Sequence, residues 1–246
     1  MKHSLLISAL AVSVLALSGC KSFCQSAPYL PENPKISILG DSYSTFEGVI
    51  PEGNAIWYFQ PPKARNGIDT PEKTWWSLAI AGLGGTLEKN ESFSGSTVCY
   101  TGYNKSDATK SSFVTRLERL GNPDLILVCG ATNDSWANSP IGEFKYENWT
   151  NEELFSFRPA MAKMLADLQS RYPKAKVFFL LNDCLKGVIN DSVHEICQHY
   201  NVPCIDLKGI AKGAGHPNVD GMKTMAEQTI AAVKAAAEPK TEEPAK

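Results

Sequence analysis

The sequence predicts an α/β protein: a three-layer α/β/α sandwich built on a central parallel sheet. Three observations carry this. Apolar runs without polar alternation recur along the chain, most clearly "DLILVC" at 124–129 and "KVFFLL" at 176–181, and such runs mark strands buried on both faces. Segments with helical spacing separate them, which is the pattern of helices covering both faces of a parallel sheet. The runs lead into short stretches rich in Gly, Ser, Asp and Asn, the chemistry of strand-to-loop turns.

The elements follow in order. "KISIL", 35–39, is a short β-branched strand. Thr74–Leu83 reads as a helix with Trp75, Leu78, Ala79 and Leu83 on one side, stopped by Gly84 and Gly85. Thr86–Phe93 is a second strand of weaker pattern, and Ser111–Leu120 a helix ending at Gly121. After the strand at 124–129, a long helix is expected from Thr150 or Asn151, with Glu152 and Glu153 in its favoured first turn. Pro159 should end, kink or divide it. The strand at 176–181 follows, then a helix around Asp191–Tyr200, the strand "VPCIDL" at 202–207 and a last helix from about Asp220.

The ends are different in kind. "MKHSLLISALAVSVLALSGC" has a basic start and an apolar run of roughly a dozen residues, the make-up of a secretory leader rather than a spanning helix. Its end, Leu17-Ser18-Gly19-Cys20, resembles a bacterial lipobox, which implies lipid on Cys20 and a membrane anchor without a span. Lys21 stands where aspartate is associated with inner-membrane retention, so an outer-membrane lipoprotein is expected. Residues 1–19 are thus read as leader, 20–34 as tether, 35–237 as one domain, and 238–246 as a charged, frayed tail.

Composition narrows the function. A net charge of −2 with no basic run after the leader gives nucleic-acid binding no electrostatic support. Seven cysteines leave six once Cys20 is set aside, and six allow fifteen pairings, among which the sequence does not choose. Cys129, inside an apolar strand, reads as a buried thiol. No cysteine or histidine group has zinc spacing: "HEICQH" lacks a second ligand pair, and His194 and His199, five apart, do not share a helix face. No metal and no cofactor are expected.

Ligands of such sheets sit beyond the carboxyl ends of the strands. "GDSYS" (40–44), "SGS" (94–96), "GATND" (130–134) and "GAGHPN" (213–218) all fall on that rim. A serine nucleophile there needs a base within hydrogen-bond reach and donors for an oxyanion. Of the histidines after the leader, His194 and His199 lie on a helix heading for the opposite rim, which leaves His216 as the base for Ser42. The N–H groups of Ser42 and Gly95 and the side-chain amide of Asn133 are the candidate oxyanion donors.

In that order the four segments resemble the SGNH/GDSL hydrolases, named for the Ser, Gly, Asn and His that here match Ser42, Gly95, Asn133 and His216. The resemblance implies a flavodoxin-like SGNH fold and serine esterase chemistry without cofactor. One departure is plain. The usual last block is Asp-x-x-His, and three residues before His216 stands Gly213. Some carbohydrate esterases of this kind orient the histidine with a backbone carbonyl. The other candidates are carboxylates: Asp206 at the end of the last strand, Asp134 beside Asn133, and Asp220, which also reads as a helix cap.

The rim loops carry aromatic residues, of which Trp57, Tyr58, Tyr100 and Trp136 are candidate substrate contacts. With no long Leu/Phe-rich lid, the reading is a short-chain O-acyl esterase, a deacetylase acting on carbohydrate. The alternatives are a lysophospholipase-like enzyme or acyltransferase using the same residues, and a non-catalytic glycan-binding lipoprotein.

Overall fold

A computed structural model describes residues 29–238; the leader, Cys20 and the end of the tail lie outside the described residues. Five strands form one parallel sheet: β1 (Lys35–Gly40), β2 (Thr86–Asn90), β3 (Leu125–Gly130), β4 (Lys176–Leu181) and β5 (Cys204–Asp206), in the order β2-β1-β3-β4-β5. The central strands are buried along nearly their whole length, as their uninterrupted apolar runs require.

Alternation along the strands divides the core in two. Ile36, Ile38, Leu125, Leu127, Phe178 and Leu180 face one side, packing with Trp75 and Ala79 of α1 (Trp75–Gly82). Met222 and Met225 of the last helix, Val219–Ala237, join them. Leu39, Ile126, Val128, Val177 and Phe179 face the other side, against α2 (Phe113–Arg116), a helix at Phe157–Arg171 and another at Gly187–His199. The three layers expected from sequence are present. Among the described residues no helix is long and apolar enough to cross a membrane.

Several boundaries differ from expectation, each for a local reason. The long helix divides. Thr150 and Glu153 form the reciprocal contacts of a capping box, the Thr150 N–H donating to Glu153 Oε2 (2.7 Å) and the Glu153 N–H to Thr150 Oγ1 (3.4 Å). Yet only a single 3-10 turn follows, Glu153–Phe155. A short α3 (Thr132–Trp136) precedes it, and α4 proper is Phe157–Arg171, with Pro159 in its first turn, where no intrahelical donor is lost. The free N–H groups of Phe157 and Arg158 are instead satisfied by the carbonyls of Pro140 and Ile141. The helix α5 begins at Gly187 rather than Asp191. The last helix, α6 (Val219–Ala237), is capped by Asn218, whose side chain accepts from the Gly221 N–H, and not by Asp220.

The stretch before α6, read as an open loop, is a small hairpin. Its strands are β6 (Lys212–Gly213) and β7 (His216–Pro217). The connecting residues Ala214 and Gly215 both have positive φ, 48° and 76°, the backbone of a tight two-residue hairpin turn.

Candidate active site

The sheet order reverses direction between β1 and β3, and in this topology the crevice outside their carboxyl ends is the binding position. Ser42 follows β1 and Asn133 follows β3. The chain leaves β1 through Gly40, where a Cβ would lie 2.5 Å from Ser44 and 2.6 Å from the Ser92 hydroxyl, so glycine lets the next turn fold back tightly. Asp41 then caps the 3-10 turn Ser42–Ser44, accepting from the Tyr43 N–H at 2.9 Å. The carboxyl of Asp41 is fully buried, and burial pushes its pKa up to about 7.

Ser42 and His216, 174 positions apart, meet: Ser42 Oγ lies 2.9 Å from His216 Nε2. His216 Nδ1 lies 3.1 Å from the carbonyl oxygen of Ala214. A carbonyl can only accept, so Nδ1 carries the proton and Nε2 is left to accept from the serine hydroxyl. Burial, then the positive charges of Arg65 and Lys212, push the histidine below its ordinary value, against the opposing pull of the Ala214 carbonyl. The ring is neutral near pH 7.

The hairpin that presents His216 is anchored from three directions. Tyr43 donates to the carbonyl of Gly215 and Tyr58 to that of Pro217, each at 2.7 Å. Asn66 donates through Nδ2 to the carbonyls of Gly213 (2.7 Å) and His216 (2.9 Å). A Cβ on Gly213 would meet the Asn66 amide oxygen at 2.9 Å. The space that an Asp-x-x-His aspartate would need is therefore taken by Asn66.

None of the candidate carboxylates is hydrogen-bonded to His216. Asp206 is the clearest correction: its Oδ1 bonds His194 Nε2 at 2.7 Å, and both groups are half-exposed. The carboxylate of Asp134 accepts from the N–H groups of Val98 (2.8 Å) and Cys99 (3.2 Å), holding that loop. Asp220 sits in the first turn of α6.

Gly95 has φ +81°, a conformation that disfavours any side chain, and no atom lies within 4 Å of where its Cβ would be. The residue is exposed. Asn133 is buried; its Nδ2 donates to the Ser96 carbonyl at 2.9 Å, and its Oδ1 accepts from the Tyr103 hydroxyl at 2.7 Å. An amide nitrogen has two protons, so one remains. Arg116, also fully buried, donates to the Ser96 hydroxyl at 2.8 Å and to the Glu91 carbonyl, tying down the segment that carries Gly95.

The aromatic candidates divide. Trp57 stacks on the His216 ring, centroids 3.5 Å apart, and Trp136, well exposed, meets it edge-on at 6.1 Å. Tyr58 is fully buried beneath the hairpin, and Tyr100 is a core residue packed edge-on against Phe155. Both are framework, not substrate contacts. Asn66 and Arg116 are the residues that sequence reasoning did not single out, and Tyr103 is legible only as one of the rim-loop aromatic residues. Their importance arises from tertiary hydrogen bonds that no local motif announces.

A serine–histidine pair at the switch point of a parallel five-stranded sheet, with glycine and asparagine beside it, is the arrangement of an SGNH-type hydrolase. The family model described as GDSL-like lipase/acylhydrolase matches residues 34–233. A protein described as a GDSL-like lipase from Bacteroides ovatus is 48% identical, with a TM-score of 0.81 over 83% of this chain and 100% of that one. A second, from Bacteroides uniformis, is 46% identical, with a TM-score of 0.80 over 82% and 96%. A family 2 carbohydrate esterase with a carbohydrate-binding domain, from Corynascus thermopiles, shares the fold at 20% identity, with a TM-score of 0.53 over 84% and 67%. No curated protein matches the chain. The chain belongs to the GDSL-like lipase/acylhydrolase family and is an ester-hydrolysing enzyme.

Proposed function

We propose that the protein is a serine esterase that removes short O-acyl groups, acetyl above all, from carbohydrate. The observation that carries the mechanism is the 2.9 Å contact between Ser42 Oγ and His216 Nε2, with Nδ1 held on the Ala214 carbonyl. Ser42 Oγ attacks the acyl carbon while its proton passes to Nε2. The oxyanion takes hydrogen bonds from the N–H groups of Ser42 and Gly95 and from the unused amide proton of Asn133. Collapse expels the alcohol, protonated by His216. Water then attacks the acyl-serine, giving its proton to Nε2; collapse breaks the bond from the acyl carbon to Ser42 Oγ, His216 returns the proton to that oxygen, and the carboxylic acid leaves. His216 works as part of a dyad, with a backbone carbonyl in place of the usual carboxylate.

The substrate reading rests on the rim. The exposed indole of Trp136 and the ring of Tyr103, also exposed, stand beside His216 and Asn133. Flat aromatic faces with polar neighbours suit a sugar ring better than an alkyl chain, and the fold is shared with a family 2 carbohydrate esterase. Rates on a series of aryl esters and acetylated polysaccharides test it. Acetyl esters should be fastest, with acetate released from glycan. Faster turnover of long-chain acyl esters or lysophospholipid, or acyl transfer to an added alcohol outpacing hydrolysis, would overturn it.

The location remains the sequence expectation of an exported lipoprotein anchored at Cys20. Cys20→Ala should move the protein from the membrane fraction to the soluble one; retention in the membrane fraction would count against it.

A further inference from the structure

Away from the hydrolase site, His194 of α5 faces a pair of ligand residues on the edge strand. On β5, Cys204 and Asp206 are two apart and share a strand face, while Ile205 between them enters the opposite core layer. One ligand atom each from His194, Cys204 and Asp206 lies within 4.8 Å of the others, the one grouping of this kind among the described residues. Read along the chain, the histidines of α5 lack a second ligand pair. In three dimensions β5 supplies it, to His194.

We propose that His194, Cys204 and Asp206 form a binding site for one divalent cation of the zinc class, pinning α5 to the edge strand β5. The donor set decides the ion. Thiolate and imidazole with a single carboxylate suit zinc or its borderline relatives, whereas magnesium and calcium take oxygen. The reach is right. Ligand atoms around one tetrahedral zinc sit roughly 3.3–3.8 Å apart, from bond lengths of about 2.0–2.3 Å. The three atoms within 4.8 Å need side-chain rotation only, and His194 and Asp206, now bonded at 2.7 Å, must part slightly. Cys204 is partly buried and packs against the core layer that holds α5. His194 and Asp206, half-exposed, leave a route in from solvent. An exposed histidine–aspartate pair alone contributes little and does not account for a thiol within reach of both.

The ion would be structural. Strand β5 lies three positions from β1 in the sheet, roughly 14 Å at ordinary strand spacing, so it takes no part in the ester chemistry, and the proposal does not depend on that reading.

The test uses the full chain, reduced and stripped with a chelator, then titrated with Co²⁺ and back-titrated with Zn²⁺. One ion per chain is expected, with the visible bands of tetrahedral cobalt and thiolate-to-metal absorption in the near ultraviolet. Zinc should displace the cobalt and raise the unfolding temperature. Cys204→Ser and His194→Ala should lose stoichiometric uptake while keeping the native circular dichroism. Cys184→Ser, which changes an exposed thiol elsewhere, should bind as the parent does. The absence of stoichiometric uptake would overturn the proposal, as would uptake that survives both ligand variants. So would a Cys197–Cys204 disulfide in the zinc-loaded protein.

Discussion

The indole of Trp57 lies flat on the imidazole of His216, ring centroids 3.5 Å apart and planes 10° from parallel. For the proposed dyad, which lacks a carboxylate, this contact has two consequences. It fixes the plane of the ring whose Nδ1 the Ala214 carbonyl holds. It also offers a π face to the imidazolium that forms when the serine gives up its proton, partly replacing the missing negative charge. Trp57 is therefore a positioning residue for His216.

Removing that face should show in turnover. Trp57→Ala is expected to lower kcat roughly tenfold, matching a cation–π term of about 1–2 kcal/mol, with KM little changed. Trp57→Phe should keep much of the loss from appearing. Steady-state kinetics on an aryl acetate measure both, and a change confined to KM would mean that the indole acts on substrate instead.

The pH profile follows from the shifted histidine. The base must be neutral to act, and burial together with the charges of Arg65 and Lys212 holds His216 below its ordinary 6.5. The acid limb of kcat/KM should therefore turn below that value. Arg65 stacks over the Trp57 indole at 4.6 Å, and Arg65→Met removes its charge while keeping much of its bulk. The turning point should move upward in this variant; a downward move would contradict the electrostatic account.

Gly213→Asp should not build a triad. The new Cβ would press on Asn66, the residue that clamps the hairpin. A loss of roughly 1–3 kcal/mol in stability is expected, as for other overpacked sites, with kcat no higher than the parent's. Thermal unfolding and kinetics on the same preparation test this, and a tenfold gain in kcat would show that a carboxylate can be seated there.

Asp41 makes stability depend on pH in an unusual direction. Burial raises its folded-state value to about 7, from 3.8. A raised carboxyl stabilises the fold while protonated, so its contribution is complete below about 4 and is lost as pH climbs to about 7. Asp134, raised by burial to about 6, acts in the same sense. The unfolding temperature should fall across that window, and Asp41→Asn, which can still accept from the Tyr43 N–H, should flatten part of the fall. An identical slope in the variant would assign the effect elsewhere.

The legibility of this protein in its sequence follows from where each signal resides. The strands 125–130 and 176–181 are legible because burial on both faces leaves an apolar run that no other element of that length produces. Ser42 and His216 are legible as candidates because the parallel sheet selects one rim and elimination leaves one histidine. The hairpin at 212–217 is not, since Ala214 adopts a left-handed conformation that its side chain disfavours, and only the surrounding clamps impose it. Trp57 and Tyr58 are neighbours of similar chemistry, and which one stacks on His216 and which disappears beneath the hairpin is set by packing. Asp206 was a reasonable candidate for His216 by position at the end of a strand, but its partner is a helix residue twelve positions earlier, His194.

The central claim is that Ser42, activated by His216, carries the acyl group. Reaction with an activated phosphonate, followed by peptide mass mapping, tests it most directly. The account predicts one adduct per chain, on Ser42, absent in Ser42→Ala and strongly slowed in a folded His216→Ala variant. An unmodified Ser42, or an adduct on another residue together with ester hydrolysis that survives in Ser42→Ala, would contradict it.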